Sequence, residues 1–214
     1  MSLDANVRED ALALVDRYPV RRSALLPMLH LMQSVEGKVS AEGIAFCAEI
    51  LDLTTAEVAA VSSFYTMYTR HSTGKHHIGV CTNTLCGLLG GDAIWAALSN
   101  DLGAGHDETT EDGMFTLEKI ECQAACTHAP VVTIDWEYID DATVAMVREF
   151  VAKLKNGEPV QSTRGPQIRS LKDSERTIAG FEDGLEHAPS VDAKMLAGLN
   201  AAKAAGSLLP ESQV

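Results

Sequence analysis

The sequence predicts an α+β fold, and three observations carry that expectation. Residues 4–70 keep apolar side chains at helical spacing almost throughout. Residues 72–157 alternate strand-like and helical segments in the order β-α-β-β-β-α, with short connections between them. Residues 158–214 gain Pro, Gly, Ser and Ala and lose large apolar side chains. The expected organisation is therefore a helical bundle over 1–71, an α/β unit over 72–157 and an extended C-terminal arm over 158–214.

In the first part, Val7, Ala11, Leu14, Val15 and Tyr18 keep one helical face apolar, and Pro19 ends the segment. Ser23 is placed to cap a second helix carrying Leu25, Met28, Leu29 and Met32, with Pro27 tolerated near its first turn and Gly37 as its stop. Ser40 opens a third helix with Ile44, Cys47 and Leu51 on one stripe. Thr54 and Glu57 have the spacing of a capping box for a fourth, which carries Val58, Val61, Phe64 and Tyr68. Phe64, Tyr65 and Tyr68 are expected to close the core of this bundle.

Ser72-Thr73-Gly74-Lys75 breaks the helical pattern, and His76 to Val80 reads as a strand that delivers Cys81. His76 and His77 are expected as solvated strand-edge residues. Gly87, Gly90 and Gly91 lead into a helix with Ile94, Trp95, Leu98 and Leu102, closed by Gly103. After a polar loop at 104–113, Phe115 to Ile120 is a second strand ending near Cys122. Val131 to Ile134 and Glu137 to Ile139 are two more. Residues 143–155 carry Val144, Val147, Val151 and Leu154 at helical spacing, stopped by Gly157. A thioredoxin-like sheet accommodates this order best. In the third part a weak helix is expected from Ser190 to Ala205, after a locally basic stretch at Arg164, Arg169 and Lys172. Such a segment gains little by folding on itself, so its ordering is better offset against the edge of its own chain or a partner.

Four of the five cysteines form two spaced pairs. Cys81 and Cys86 make a C-x4-C loop, and Cys122 and Cys126 a C-x3-C loop. Four thiolates offered as two pairs suit a [2Fe–2S] cluster, each iron taking two sulfurs. Structural zinc favours tighter C-x2-C knuckles. A thioredoxin-type redox pair also needs C-x2-C, and a Rieske centre needs two histidines in place of two thiolates, where only His128 stands near. A disulfide framework fits poorly with five cysteines in a reducing compartment. An oxidised four-thiolate cluster carries a formal charge of about −2 and needs close backbone N–H donors, which Gly87, Gly90 and Gly91 permit. Cys47, on the buried stripe of the third helix, reads as a core thiol.

Composition narrows the function further. With 214 residues and 46% hydrophobic content the chain can bury a real core. A formal net charge of −13 argues against a general nucleic-acid binder and against attachment to anionic lipid. No apolar run approaches membrane-spanning length, so direct membrane insertion is not expected. Residues 1–6 lack the basic and apolar regions of a signal peptide, which points to the cytoplasm. There is no G-x-G-x-x-G or Walker pattern.

C-x4-C, thirty-five residues, then C-x3-C resembles the small iron–sulfur subunit of the respiratory NADH dehydrogenase. The resemblance extends to Tyr18-Pro19, Arg22-Ser23-Ala24-Leu25, Pro27, Ser63-Phe64-Tyr65-Thr66-Met67-Tyr68, Gly74-Lys75 and Ala129-Pro130-Val131-Val132. It covers about residues 8–157 and extends weakly to Arg176–Phe181. Leu85 stands where many members have proline, and Asp135-Trp136-Glu137 lacks the glycine or asparagine often found in that turn.

The resemblance implies a helical bundle, a thioredoxin-like domain and one [2Fe–2S] cluster on Cys81, Cys86, Cys122 and Cys126. It implies docking against a larger subunit that holds FMN and NADH, so the FMN and NAD sites belong to the partner. The complex would place this chain at the inner face of the cell membrane. Two other functions remain open at the level of sequence. One is the diaphorase small subunit of an NAD-linked hydrogenase or formate dehydrogenase. The other, of a different class, is a zinc-stabilised interaction module.

Overall fold

The computed structural model describes residues 3–185 and 192–206. Helix α1 (Ala5–Val15) starts where the Asp4 carboxylate accepts the N–H groups of Asn6 and Val7, and it buries Val7, Ala11, Leu14 and Val15. Helix α2 (Leu25–Glu36) grows directly out of a 3-10 turn, Arg21–Ala24. Ser23 therefore lies inside that turn and does not cap the helix, which has no side-chain cap. Gly37 ends α2 in the left-handed region, at φ 75°. Helix α3 (Ala41–Leu51) is capped by Ser40, whose hydroxyl accepts Gly43 N–H. Helix α4 (Thr55–Ser62) has the full Thr54–Glu57 capping box. These helices enclose a core of Leu14, Met28, Leu29, Met32, Cys47 and Val58. Of the three aromatics expected there, only Tyr68 is buried, with its hydroxyl donating to Leu26 C=O at 3.0 Å. Phe64 is 77% exposed and Tyr65 is 46% exposed, because α4 stops at Ser62 and the turn after it points outward.

Among the described residues five strands follow: β1 (His76–Cys81), β2 (Glu108–Thr109), β3 (Phe115–Ile120), β4 (Val132–Ile134) and β5 (Glu137–Ile139). They form one mixed sheet in the order β2-β3-β1-β4-β5. Only β1 and β3 pair in parallel, and β2, inside the loop expected as polar, pairs antiparallel with β3. After β1 comes α5 (Thr84–Cys86), a single helical turn. Helices α6 (Asp92–Leu102) and α7 (Val144–Lys155) bury Ile94, Leu98, Val147 and Val151 against Ile78, Val80, Phe115 and Leu117. Because strand side chains alternate, His77 and Cys81 face the other side of the sheet.

The central place of β1 corrects the expectation for its histidines. His76 is 2% exposed and His77 is 1% exposed. Each ring meets a carboxylate: His76 Nδ1 lies 2.6 Å from Asp135 Oδ2 and His77 Nε2 lies 2.7 Å from Glu118 Oε2. Burial pushes the Asp135 carboxyl above its usual range, although both histidines act in the opposite direction.

The C-terminal region is folded over the rest of the chain as far as residue 181. Val160, Ile168 and Leu171 are buried, and helix α8 (Leu171–Ile178) packs along α2. Glu175 on α8 is fully buried. Its Oε2 lies 2.5 Å from His30 Nδ1 on α2, and its Oε1 accepts the indole N–H of Trp136 at 2.7 Å. One carboxylate thus joins the helices, the sheet and the C-terminal segment. The basic stretch is also used internally: Arg164 pairs with Asp140, Arg169 with Asp183, and Lys172 donates to Val35 C=O. Helix α9 (Ala193–Ala204) matches the weak helix expected there, whose first residues, 190 and 191, lie outside the described residues.

Candidate metal centre

The parallel pairing of β1 and β3 brings the two cysteine loops together. Cys81 is level with Ile120 in register, so the segments that leave the two strands emerge side by side at one end of the sheet. Cys81 is the last residue of β1, and its N–H donates to Val131 C=O at 3.1 Å. Cys86 ends the single turn of α5. Cys122 follows β3, and Cys126 opens a 3-10 turn, Cys126–His128. Ala124 between them sits at φ 54°, a left-handed backbone that tightens the loop. Tyr138 on β5 fixes the same loop by donating its hydroxyl to Gln123 C=O at 3.1 Å.

All four sequence-predicted residues are gathered here. Cys81 and Cys86 are buried with Ile120, Ala125, Ala129 and Val131, while Cys122 and Cys126 reach the surface. Cys122 Sγ and Cys126 Sγ are 3.6 Å apart. Burial raises the Cys86 thiol to about 11, with Cys81 and Cys126 adding to the rise and the Val131 N–H opposing it. The Cys126 thiol is also raised, first by its hydrogen bond to Cys122 and then by the charge of Cys122, with Cys81 contributing. The Cys86 and Cys126 thiolates are thus made costly by burial and by the neighbouring sulfurs, which is the condition a bound cation relieves. Among the described residues no three His, Cys, Asp or Glu side chains are arranged to hold a single metal ion. Four soft sulfur donors in two pairs fit a two-iron cluster.

The glycines shape the approach to these sulfurs. Gly87–Gly91 forms a π-type turn in which Gly90 has φ 121°, a conformation open to glycine. A Cβ on Gly91 would overlap the Cys81 carbonyl oxygen and stand 2.9 Å from that of Cys86. Around this turn Leu85, Leu88 and Leu89 are exposed, Leu88 to 80%. A cleft of about 630 Å³, lined in part by Tyr65, Trp136, Tyr138 and Gln123, opens beside the Cys122 loop. Cys47 lies in the helical core, its thiol pushed up to about 12 by burial and by Glu36.

Sequence reasoning missed the contacts of three polar residues. Asn83 touches the Cys81 sulfur and Glu175 ties the chain's parts together, while His128 pairs with Asp192 at the start of α9. Asn83 lies inside the C-x4-C loop and was legible there as an amide near sulfur. Glu175 has no local signal, since its partners are far away in sequence.

The family model of the thioredoxin-like [2Fe-2S] ferredoxins matches residues 11–155. The E subunit of NADH-quinone oxidoreductase from Mycobacterium tuberculosis is 48% identical over 201 residues, covering 93% of this chain and 80% of that protein. NADH-quinone oxidoreductase subunit 2 of Thermus thermophilus is 36% identical over 153 residues, covering 70% of this chain and 84% of its own. A solved NAD+-reducing [NiFe]-hydrogenase superposes on 62% of this chain and 22% of its own with a TM-score of 0.55. Its identity is 17%, so that likeness concerns the fold alone. A match across most of the helices and the sheet, and relatives similar along nearly the whole chain, settle the assignment: the chain belongs to the thioredoxin-like [2Fe–2S] ferredoxin family, with the E subunits of NADH-quinone oxidoreductases as its relatives.

Proposed function

We propose that this chain is the [2Fe–2S] electron-transfer subunit of an NADH:quinone oxidoreductase, exchanging electrons with the FMN of a partner subunit at the inner face of the membrane. Cys81 and Cys86 hold one iron, and Cys122 and Cys126 hold the other. The single observation that carries this reading is the convergence of the two cysteine pairs at the shared end of β1 and β3. Bound there, the cluster supplies a one-electron redox centre. The chain's own residues supply the rest. Ile120, Ala125, Ala129 and Val131 keep water from the Cys81 and Cys86 side. Val131 N–H stabilises the Cys86 thiolate.

Leu85, Leu88 and Leu89 beside this turn support a docking face for the flavin-bearing partner, because a monomer gains nothing by exposing them together. Among the described residues no helix is long and apolar enough to cross a membrane, in keeping with attachment through the complex. The same reading divides the chain at 1–71, 72–157 and 158–214. The hydrogenase alternative has only a fold likeness behind it.

Iron and acid-labile sulfide in equal amounts, two of each per chain, are expected in anaerobically purified protein. Each of Cys81→Ala, Cys86→Ala, Cys122→Ala and Cys126→Ala should lose cluster content, since an iron is left without a thiolate. Zinc in place of iron, or an unchanged cluster signal in all four variants, overturns the reading.

A further inference from the structure

Asn83 occupies the N-cap position of α5, where an asparagine ordinarily accepts a backbone N–H from the first turn. It does not do so here, because its side chain makes no capping hydrogen bond. The amide is turned the other way. Its Nδ2 lies 3.3 Å from Ile120 C=O at the end of β3 and 3.8 Å from Cys81 Sγ. The orientation of the amide follows from these partners. Ile120 C=O accepts only, so the NH₂ and not the oxygen must face it. One N–H is taken by that carbonyl, and the planar group then presents its second N–H to the sulfur.

We propose that Asn83 is a positioning residue that raises the reduction potential of the centre, by donating an N–H to the Cys81 thiolate while the Ile120 carbonyl holds the amide in place. The proposal rests on Cys81 being a ligand. Adding one electron increases the negative charge on the ligand sulfurs, and no bond has to form or break. A donor aimed at sulfur favours the more negative state, so it shifts the equilibrium toward reduction. Asn83 is exposed, and competition from water keeps the effect between a few-fold and about tenfold.

The test is Asn83→Leu, which keeps similar volume and removes both donors, followed by dye-mediated redox titration with dithionite of the purified, cluster-bearing chain. The iron and sulfide content of the unmutated chain is measured first, and zinc or missing sulfide there refutes the ligand reading along with this proposal. The expected result is full cluster content, a lower midpoint and loss of an exchangeable-proton coupling in the EPR-detected reduced state. A tenfold change in the reduction equilibrium corresponds to a shift of about 59 mV for one electron. Asn83→Gln, which retains the amide, should recover part of the shift. Where the leucine variant fails to load, Asn83→Ala carries the same expectation. An unchanged midpoint at full cluster content would show that Asn83 only ties the two loops together, and so would loss of the cluster in both variants.

Discussion

Gly91 and Cys47 set the limits of what single residues contribute to the centre. A Cβ at Gly91 meets backbone oxygens of both Cys81 and Cys86, which cannot move without moving the thiols. Gly91→Ala is therefore expected to lower cluster content sharply, read as the visible absorbance per chain after reconstitution with iron and sulfide. Cys47→Ala removes one buried sulfur from the helical core, so it should cost about 1–2 kcal/mol of stability and leave the cluster spectrum unchanged. A lost spectrum at full stability would make Cys47 a ligand. The two cysteine pairs proposed to hold the cluster were legible as a constellation because their spacing survives in the linear chain. The burial of His76 and His77 was not, because nothing in a short His-His-Ile-Gly-Val run says that its strand is central. It depends on β3 and β4 arriving on either side, and on Asp135 and Glu118 supplying carboxylates from distant segments.

Among the elements, the turn between β4 and β5 is the most unusual. Asp135 and Trp136 both have positive φ, 53° and 69°, where a two-residue hairpin prefers asparagine and glycine. The surroundings compensate for that strain. Asp135 Oδ1 accepts His77 N–H at 2.7 Å, and the Trp136 ring lies 4.7 Å from that of His77 while its N–H reaches Glu175. Trp136→Phe keeps an aromatic ring but leaves the buried Glu175 carboxylate short of one donor, and should cost about 1–3 kcal/mol in denaturant unfolding. The capping box of α4 gives a pH test. The Thr54 backbone N–H, then the Thr54 hydroxyl and Arg22, hold the Glu57 carboxyl down to about 2. Its stabilising effect is complete above the ordinary value of 4.5 and is lost as pH falls toward 2. The melting temperatures of the parent and Glu57→Gln should converge over that window. Caps of this kind were readable in advance at Ser40 and Thr54, because cap and first turn are three residues apart. Ser23 looked equally good, but the chain enters α2 through a 3-10 turn that already occupies it.

Across the whole molecule, the C-terminal region does more than its composition suggested. Val160, Ile168 and Leu171 complete apolar surfaces, Arg176 reaches Asp10 on α1 at 2.7 Å, and Arg17 donates to Gly180 C=O at 2.6 Å. Truncation after Gly157 should therefore lower the melting temperature markedly, since His30 and Trp136 lose their buried partner. A truncated chain as stable as the parent would mean that α8 merely rests on α2. By contrast, the isolated full chain should show no NADH oxidation without a flavin-bearing partner. The run of helices and strands was largely legible from periodicity, whereas the closure through Glu175 was not, because no local pattern encodes a contact between residues so far apart. That separation has a consequence in time. His30 and Glu175 lie 145 residues apart, so α2 leaves the ribosome with a histidine and an apolar flank that have no partner yet. At about 5–20 residues per second, the wait for α8 is on the order of 10 s. The first helices to be made are thus among the last to be sealed, and their apolar flank stays open throughout that interval.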